Sequence, residues 1–221
     1  MTERPHEDLA HIRSLMERST RFLSLSGLSG VFAGVVALGG AWLAHRHMAG
    51  FAGPRGDALT YGITRDALVH RDELVVLLLA DAVGVLAVAL LGAFWFTWRR
   101  SRAAGQGLWD PAARRLLWNM LIPLAVGGIF CLALFAYGLP GLVAPATLLF
   151  YGLALVNASK YTLDEIRWLG LSELALGLIA LFWLGAGLLF WALGFGVLHI
   201  LYGGLMWSRH ERNLPAGREA Q

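Results

Sequence analysis

The sequence predicts an all-α, polytopic membrane protein with six transmembrane helices and an N-terminal amphipathic surface helix. Three observations predict it. Hydrophobic residues make up 57% of the 221 positions and charged residues only 15%, against about 25% charged in an ordinary soluble domain. Six apolar stretches reach or approach the roughly 20 residues that a helix needs to cross a bilayer core. Finally, alternating the connections across a membrane divides the 18 Lys and Arg residues unevenly. Only Arg46, Arg55, Arg65 and Arg71 fall on one side, and the excess on the other is the bias of cytoplasmic loops.

The elements follow in order. Leu9, Ile12, Leu15, Met16 and Phe22 recur at helical spacing with charges between them, so residues 1–21 are expected to form an amphipathic arm lying on the cytoplasmic membrane surface. The six-helix domain occupies residues 22–207, and residues 208–221 form a cytoplasmic tail. The first span runs from about Phe22 to Ala44. It follows a polar arm and has no small-residue cleavage site after it, so a retained span is expected rather than a cleaved signal peptide. The second runs from about Leu74 to Trp98, after an outward loop from about Arg46 to Arg71. Asp110 followed by Pro111 is an N-cap with proline at the first helical position, and it opens the lead-in to the third span, Leu116 to Gly138. Pro140 and Gly141 break the chain before a short fourth span, Val143 to Ser159. Gly185 and Gly187 leave room only for a tight hairpin between the fifth span, Ile166 to Gly185, and the sixth, Gly187 to Trp207. Both termini then face the cytoplasm. Trp95, Trp98, Trp118, Trp168 and Trp207 mark the inner interface, and Trp42, Trp183 and Trp191 the outer one, as aromatic belts do.

Polar residues inside apolar spans are the candidates for function, because lipid penalises them. Asp81 lies about seven residues inside the second span, some 10–12 Å from its outer end at about 1.5 Å per residue. It is expected to be a buried structural acid, a proton or ion site, or a partner contact. Glu173 and His199 are equally far from Ala186 along the two arms of the last hairpin, so a carboxylate and an imidazole come to one depth on neighbouring helices. Each relieves the other's desolvation, either as a static clamp or, since imidazole titrates near neutral pH, as a proton-linked switch. Tyr151, Asn157 and Tyr202 are candidates to extend that network. Ser26, Gly30 and Gly34 form a small-xxx-small face, suited to packing within the chain or to a homodimer seam. His45, His47 and His70 emerge at the outer ends of the first two spans near Asp72 and Glu73, a weak metal candidate.

Several function classes are excluded or unsupported. The one cysteine, Cys131, rules out an intrachain disulfide framework. His199 is the lone interior histidine, which excludes a haem held by two. Neither a phosphate loop, nor a nucleophile elbow, nor a His-Glu-x-x-His helix is present. The basic balance is explained by anionic lipid headgroups rather than nucleic acid. Met16-Glu17-Arg18-Ser19, Ser24-Leu25-Ser26-Gly27-Leu28-Ser29-Gly30, Ser159-Lys160-Tyr161-Thr162 with Glu165-Ile166-Arg167, and the run from Phe190 through Gly194-Phe195-Gly196 to His199 resemble a group of small bacterial six-helix inner-membrane proteins with no assigned activity. The resemblance implies a bacterial inner-membrane location and carries no substrate or cofactor. The expectation is a non-enzymatic sensor, regulator or accessory subunit, without cofactor, acting in the bilayer through a membrane-protein partner or as a homodimer. The alternative is a small proton- or ion-coupled transporter or channel built on Asp81 and the Glu173–His199 pair.

Overall fold

A computed structural model describes residues 22, 25–51, 71–103, 105 and 109–212. The arm expected over residues 1–21, most of the outward loop and the tail beyond residue 212 lie outside the described residues. Among those described, the regular structure is entirely helical: α1 (Gly27–Phe51), α2 (Arg71–Ala103), α3 (Pro111–Ala136), α4 (Val143–Ala158), α5 (Asp164–Ala180), α6 (Gly187–Trp191) and α7 (His199–His210). Residues Ala192–Leu198 form a π-helix joining α6 to α7, so the last three elements make one rod.

Five helical stretches are long and apolar enough to cross a membrane, an arrangement compatible with a membrane location: Gly27–Ala49, Glu73–Ala103, Pro111–Ala136, Pro140–Tyr161 and Leu184–His210. The expected fifth span is the exception. Its helix, α5, has 17 residues, about 26 Å at 1.5 Å per residue, because the helix ends at Ala180 and the chain, leaving helical dihedrals at Trp183, passes into a 3₁₀ turn at Leu184–Ala186.

Local chemistry sets the other boundaries. Asp110 caps α3, its carboxylate accepting from the Ala113 N–H at 2.6 Å, with Pro111 in the first turn. Gly138, at φ 71°, closes that helix. It lets Gly138 N–H reach the Phe135 carbonyl and Leu139 N–H reach that of Leu134, a left-handed stop that glycine supplies without Cβ strain. Pro140–Leu142 is a single 3₁₀ turn. The first helix begins later than expected, at Gly27 rather than Phe22. Phe22 is drawn into the loop after α4 instead: its N–H donates to the Tyr161 carbonyl at 2.7 Å and its carbonyl accepts from the Thr162 hydroxyl at 2.8 Å. Its ring is buried with Ala112 and Ala113.

Packing order differs from chain order. The final rod lies against α1 on one side and α4 and α5 on the other, while α2 rests on α1 and α3 on α4. Glycines allow the closest approaches. A Cβ at Gly27, Gly30 or Gly34 would strike the final rod at Gly203 or Gly196, and one at Gly152 would strike the Gly170 carbonyl. The expected small-residue face on α1 is therefore filled by the chain's own last helix. In contrast, the most apolar stretch of α2 buries nothing. Its buried residues are Thr97 and Ser101, while Val83, Leu86, Leu90, Leu91 and Phe94 stand exposed.

Candidate functional site

Glu173 is the most enclosed charged residue described, 0% exposed, and His199 is 6% exposed. Helical geometry brings them together. Glu173 sits mid-way along α5, His199 opens α7, and the π segment between α6 and α7 sets the ring's direction. His199 Nδ1 lies 3.5 Å from Glu173 Oε1 and 3.0 Å from the Gly194 carbonyl. A carbonyl can only accept, so Nδ1 carries the hydrogen. Nε2 lies 2.7 Å from the Tyr151 hydroxyl on α4, which donates to it when the ring is neutral. The imidazole thus joins α4, α5 and the final rod.

Aromatic rings wall the group. Phe195 and His199 stack with centroids 6.0 Å apart, and Tyr151 stacks on His199 at 5.4 Å. Trp191 continues the series against Phe195 at 5.0 Å. Glu173 is the exception to full pairing. Both its oxygens are inaccessible and neither has a hydrogen-bond partner among the described residues. A Cβ at Gly194 would overlap Glu173 Oε2 and the end of Leu148, so the rod's backbone packs directly against the carboxyl. A surface cavity of about 360 Å³ lies elsewhere, lined by Pro111, Arg114, Arg115, Trp118 and Asn119.

The remaining expected residues are placed apart from this group. Tyr202 turns to Ser172, 3.1 Å between hydroxyls, and Asn157 donates to the Asn119 carbonyl at 2.9 Å while accepting from Lys160. Asp81 is half-buried on α2, with the His47 imidazole as its electrostatic neighbour. His47 Nδ1 is buried without a hydrogen bond among the described residues. His70 lies outside the described residues, and no group of three or more candidate metal ligands occurs among those described. Gly30 and Gly34 pack as above, whereas Ser26 serves a second polar cluster.

That second cluster was missed in the sequence. Glu211, just past α7, accepts from the Gly27 N–H and the Ser26 hydroxyl and pairs with Arg100 at 3.1 Å. Arg100 also donates to the Leu25 carbonyl. Glu211 therefore caps α1 from the opposite end of the chain, satisfying an N–H that a local N-cap would otherwise take. Beside it, Glu165 at the start of α5 meets Arg209 and His210, each at 3.2 Å. Burial pushes the Glu165 carboxyl up, but its backbone hydrogen bond and those from His210 and Arg209 outweigh this and hold it below the usual carboxylate range. The sequence showed only a charged tail; a carboxylate at helical spacing from Trp207 carried no sign that it would meet residue 27.

Compared with protein-family models, with curated proteins and with solved structures, the chain matches none.

Proposed function

We propose that the protein is a six-span bacterial inner-membrane protein, non-enzymatic, acting through partners as a sensor, regulator or accessory subunit. Its Glu173–His199–Tyr151 group is a sealed polar clamp rather than a transport path. The observation that carries this reading is the closure of the carboxyl, wholly inaccessible and hemmed by Gly194 and Leu148. An ion or proton path needs acids lining a water-filled route, and here the acid faces protein alone. The six-span count is supported by the start of α1, the ends of α2 and α7 and the starts of α3 and α5 meeting at one end through Phe22, Arg100, Glu211 and Glu165, an arrangement that favours α5 crossing the bundle despite its length. That end carries Arg100, Arg114, Arg115, Lys160, Arg167 and Arg209, which supports its being cytoplasmic. The exposed apolar surface of α2 suits lipid or a membrane partner.

The test is purified protein in proteoliposomes under an imposed proton or potassium gradient, followed with an internal pH dye. The clamp reading predicts flux no greater than in empty vesicles. A flux abolished by Glu173→Gln would overturn it in favour of a proton-coupled transporter.

A further inference from the structure

We propose that the cavity at the start of α3 binds the headgroup of one anionic phospholipid, held by Arg114, Arg115 and Trp118, with the acyl chains laid along Ile122, Val126 and Ile129. The proposal rests on the bilayer reading above and adds a ligand to it.

The sequence sets one face of α3 apart. Arg114, Arg115, Trp118, Ile122, Val126 and Ile129 recur at helical spacing, so they lie along one side of the helix. Elsewhere on its circumference α3 is taken up by the bundle: Ala112 and Ala113 are buried with Phe22, and a Cβ at Gly127 would overlap Phe150 of α4. The stripe therefore points outwards, and all six of its residues stand exposed. Charge lies at its head, an indole next, and branched aliphatic side chains below. Trp118 and Ile129 are 11 positions apart, about 16 Å at 1.5 Å per residue. That is close to one leaflet of a hydrocarbon core about 30 Å thick.

The head of the stripe has the chemistry of a phosphate site. A cavity of about 360 Å³ opens there, lined among the described residues by Pro111, Arg114, Arg115, Trp118 and Asn119. Neither guanidinium makes an ion pair or hydrogen bond among the described residues, whereas Arg100 and Arg209 at the same end are paired with Glu211 and Glu165. The carboxylate nearest in sequence, Asp110, is committed to the Ala113 N–H. Asn119 is fixed through the Arg115 carbonyl and Asn157, and Asn157 accepts in turn from Lys160, which ties a third cation to this side of α3. Guanidinium forks take phosphate oxygens in pairs. An indole at the interface buries its ring among acyl chains and offers its N–H to the headgroup. Uncompensated positive charge favours a headgroup with net negative charge over a zwitterionic one. A soluble phosphate compound would satisfy the arginines and leave Ile122, Val126 and Ile129 uncovered; a phospholipid meets both halves of the stripe.

The experiment uses the full chain in nanodiscs of phosphatidylglycerol and phosphatidylcholine in equal parts. Native mass spectrometry after release into detergent counts the lipids that stay bound. The unmodified protein should retain one phosphatidylglycerol, preferred over phosphatidylcholine by about tenfold or more. Arg114→Gln/Arg115→Gln should lose that preference; both side chains are exposed, so circular dichroism should show the fold unchanged. Arg99→Gln/Arg167→Gln removes the same charge from other exposed positions and should keep it. Inorganic phosphate, and the phosphatidylglycerol headgroup without its chains, should not displace the lipid. The proposal falls if the Arg99/Arg167 variant loses as much preference, which would make the attraction diffuse. It falls equally if either soluble compound displaces the lipid, which would make the cavity a site for free phosphate. Equal retention of the two lipids by a protein that inserts into nanodiscs overturns this site and leaves the bilayer reading standing, whereas a chain that stays in solution without detergent or lipid overturns both.

Discussion

His199→Phe should cost far more stability than Glu173→Gln, although both remove one half of the same pair. The phenyl ring preserves the stack on Phe195 and Tyr151 but deletes both nitrogens. That strands the Tyr151 hydroxyl and the Gly194 carbonyl, whose partners are Nε2 and Nδ1. An orphaned buried polar group costs about 1–3 kcal/mol, so the loss is roughly 2–6 kcal/mol. Glu173 makes no hydrogen bond with a described residue. Replacing it by a neutral amide therefore orphans nothing, and the expected cost is about 1 kcal/mol or less. Tyr151→Phe leaves only Nε2 bare and should fall between, at about 1–2 kcal/mol. Thermal unfolding in one detergent, monitored by thiol-reactive dye at Cys131 and by near-ultraviolet circular dichroism, gives the ranking. The Glu173→Gln/His199→Phe double mutant should then lose less than the sum of the single losses, since residues in contact couple by about 0.5–3 kcal/mol. Equal losses for the two single substitutions, or strict additivity, would refute the assignment of hydrogen bonds made here.

Other predictions concern the bundle ends and packing faces. Glu211→Ala removes the cap of α1 and the carboxylate paired with Arg100, and should lower unfolding stability by about 1–3 kcal/mol; Glu211→Gln, which keeps an acceptor for Gly27, should lose less. Because Glu165 sits net below its ordinary value of 4.5, its contribution is complete above that pH and lost as pH falls through its folded value. Glu165→Gln should accordingly flatten the acid limb of a stability–pH profile, and an unchanged limb would count against the ion pairs with Arg209 and His210. Gly34→Leu drives a side chain into the Gly196 carbonyl and Ile200 and should cost more than about 3 kcal/mol, whereas Gly39→Ala, with nothing near its Cβ position, should be neutral or stabilising by up to about 1 kcal/mol. In a Cys131→Ser background, Gly53→Cys should react with an impermeant thiol reagent in whole cells and Ala104→Cys should not; the opposite pattern would invert the topology.

What could be read in advance followed the range of the interactions. Helix type and the Asp110–Pro111 start depend on residues within one turn, and they are visible as periodicity and a capping pair. The closeness of Glu173 and His199 was legible because a tight hairpin converts equal spacing from Ala186 into equal depth. The third member, Tyr151, could be named as a candidate but not chosen over Tyr202, since both are phenols on neighbouring helices and only helix rotation decides between them. The π segment left no periodic trace: one extra residue in seven is too short to disturb an apolar pattern. The Glu211 cap was out of reach for a different reason, because its partners Gly27 and Arg100 lie more than a hundred positions away. The late start of α1 has the same origin, with Phe22 spent on Tyr161 and Thr162 instead of the helix.

The position of the final rod has a bearing on how the molecule is made. Synthesis delivers α1 and α2 first, then α3, α4 and α5, and these two groups meet chiefly through the rod that leaves the ribosome last, apart from the anchorage of Phe22. Until Gly187–His210 is in place, the glycine face of α1 is uncovered and the carboxyl of Glu173, though beside α4, lacks His199 and Gly194. A nascent chain halted before that point would consist of two half-bundles, with an acid only partly covered. The earlier helices therefore wait apart, and the last described helix acts as the keystone that commits them to one another.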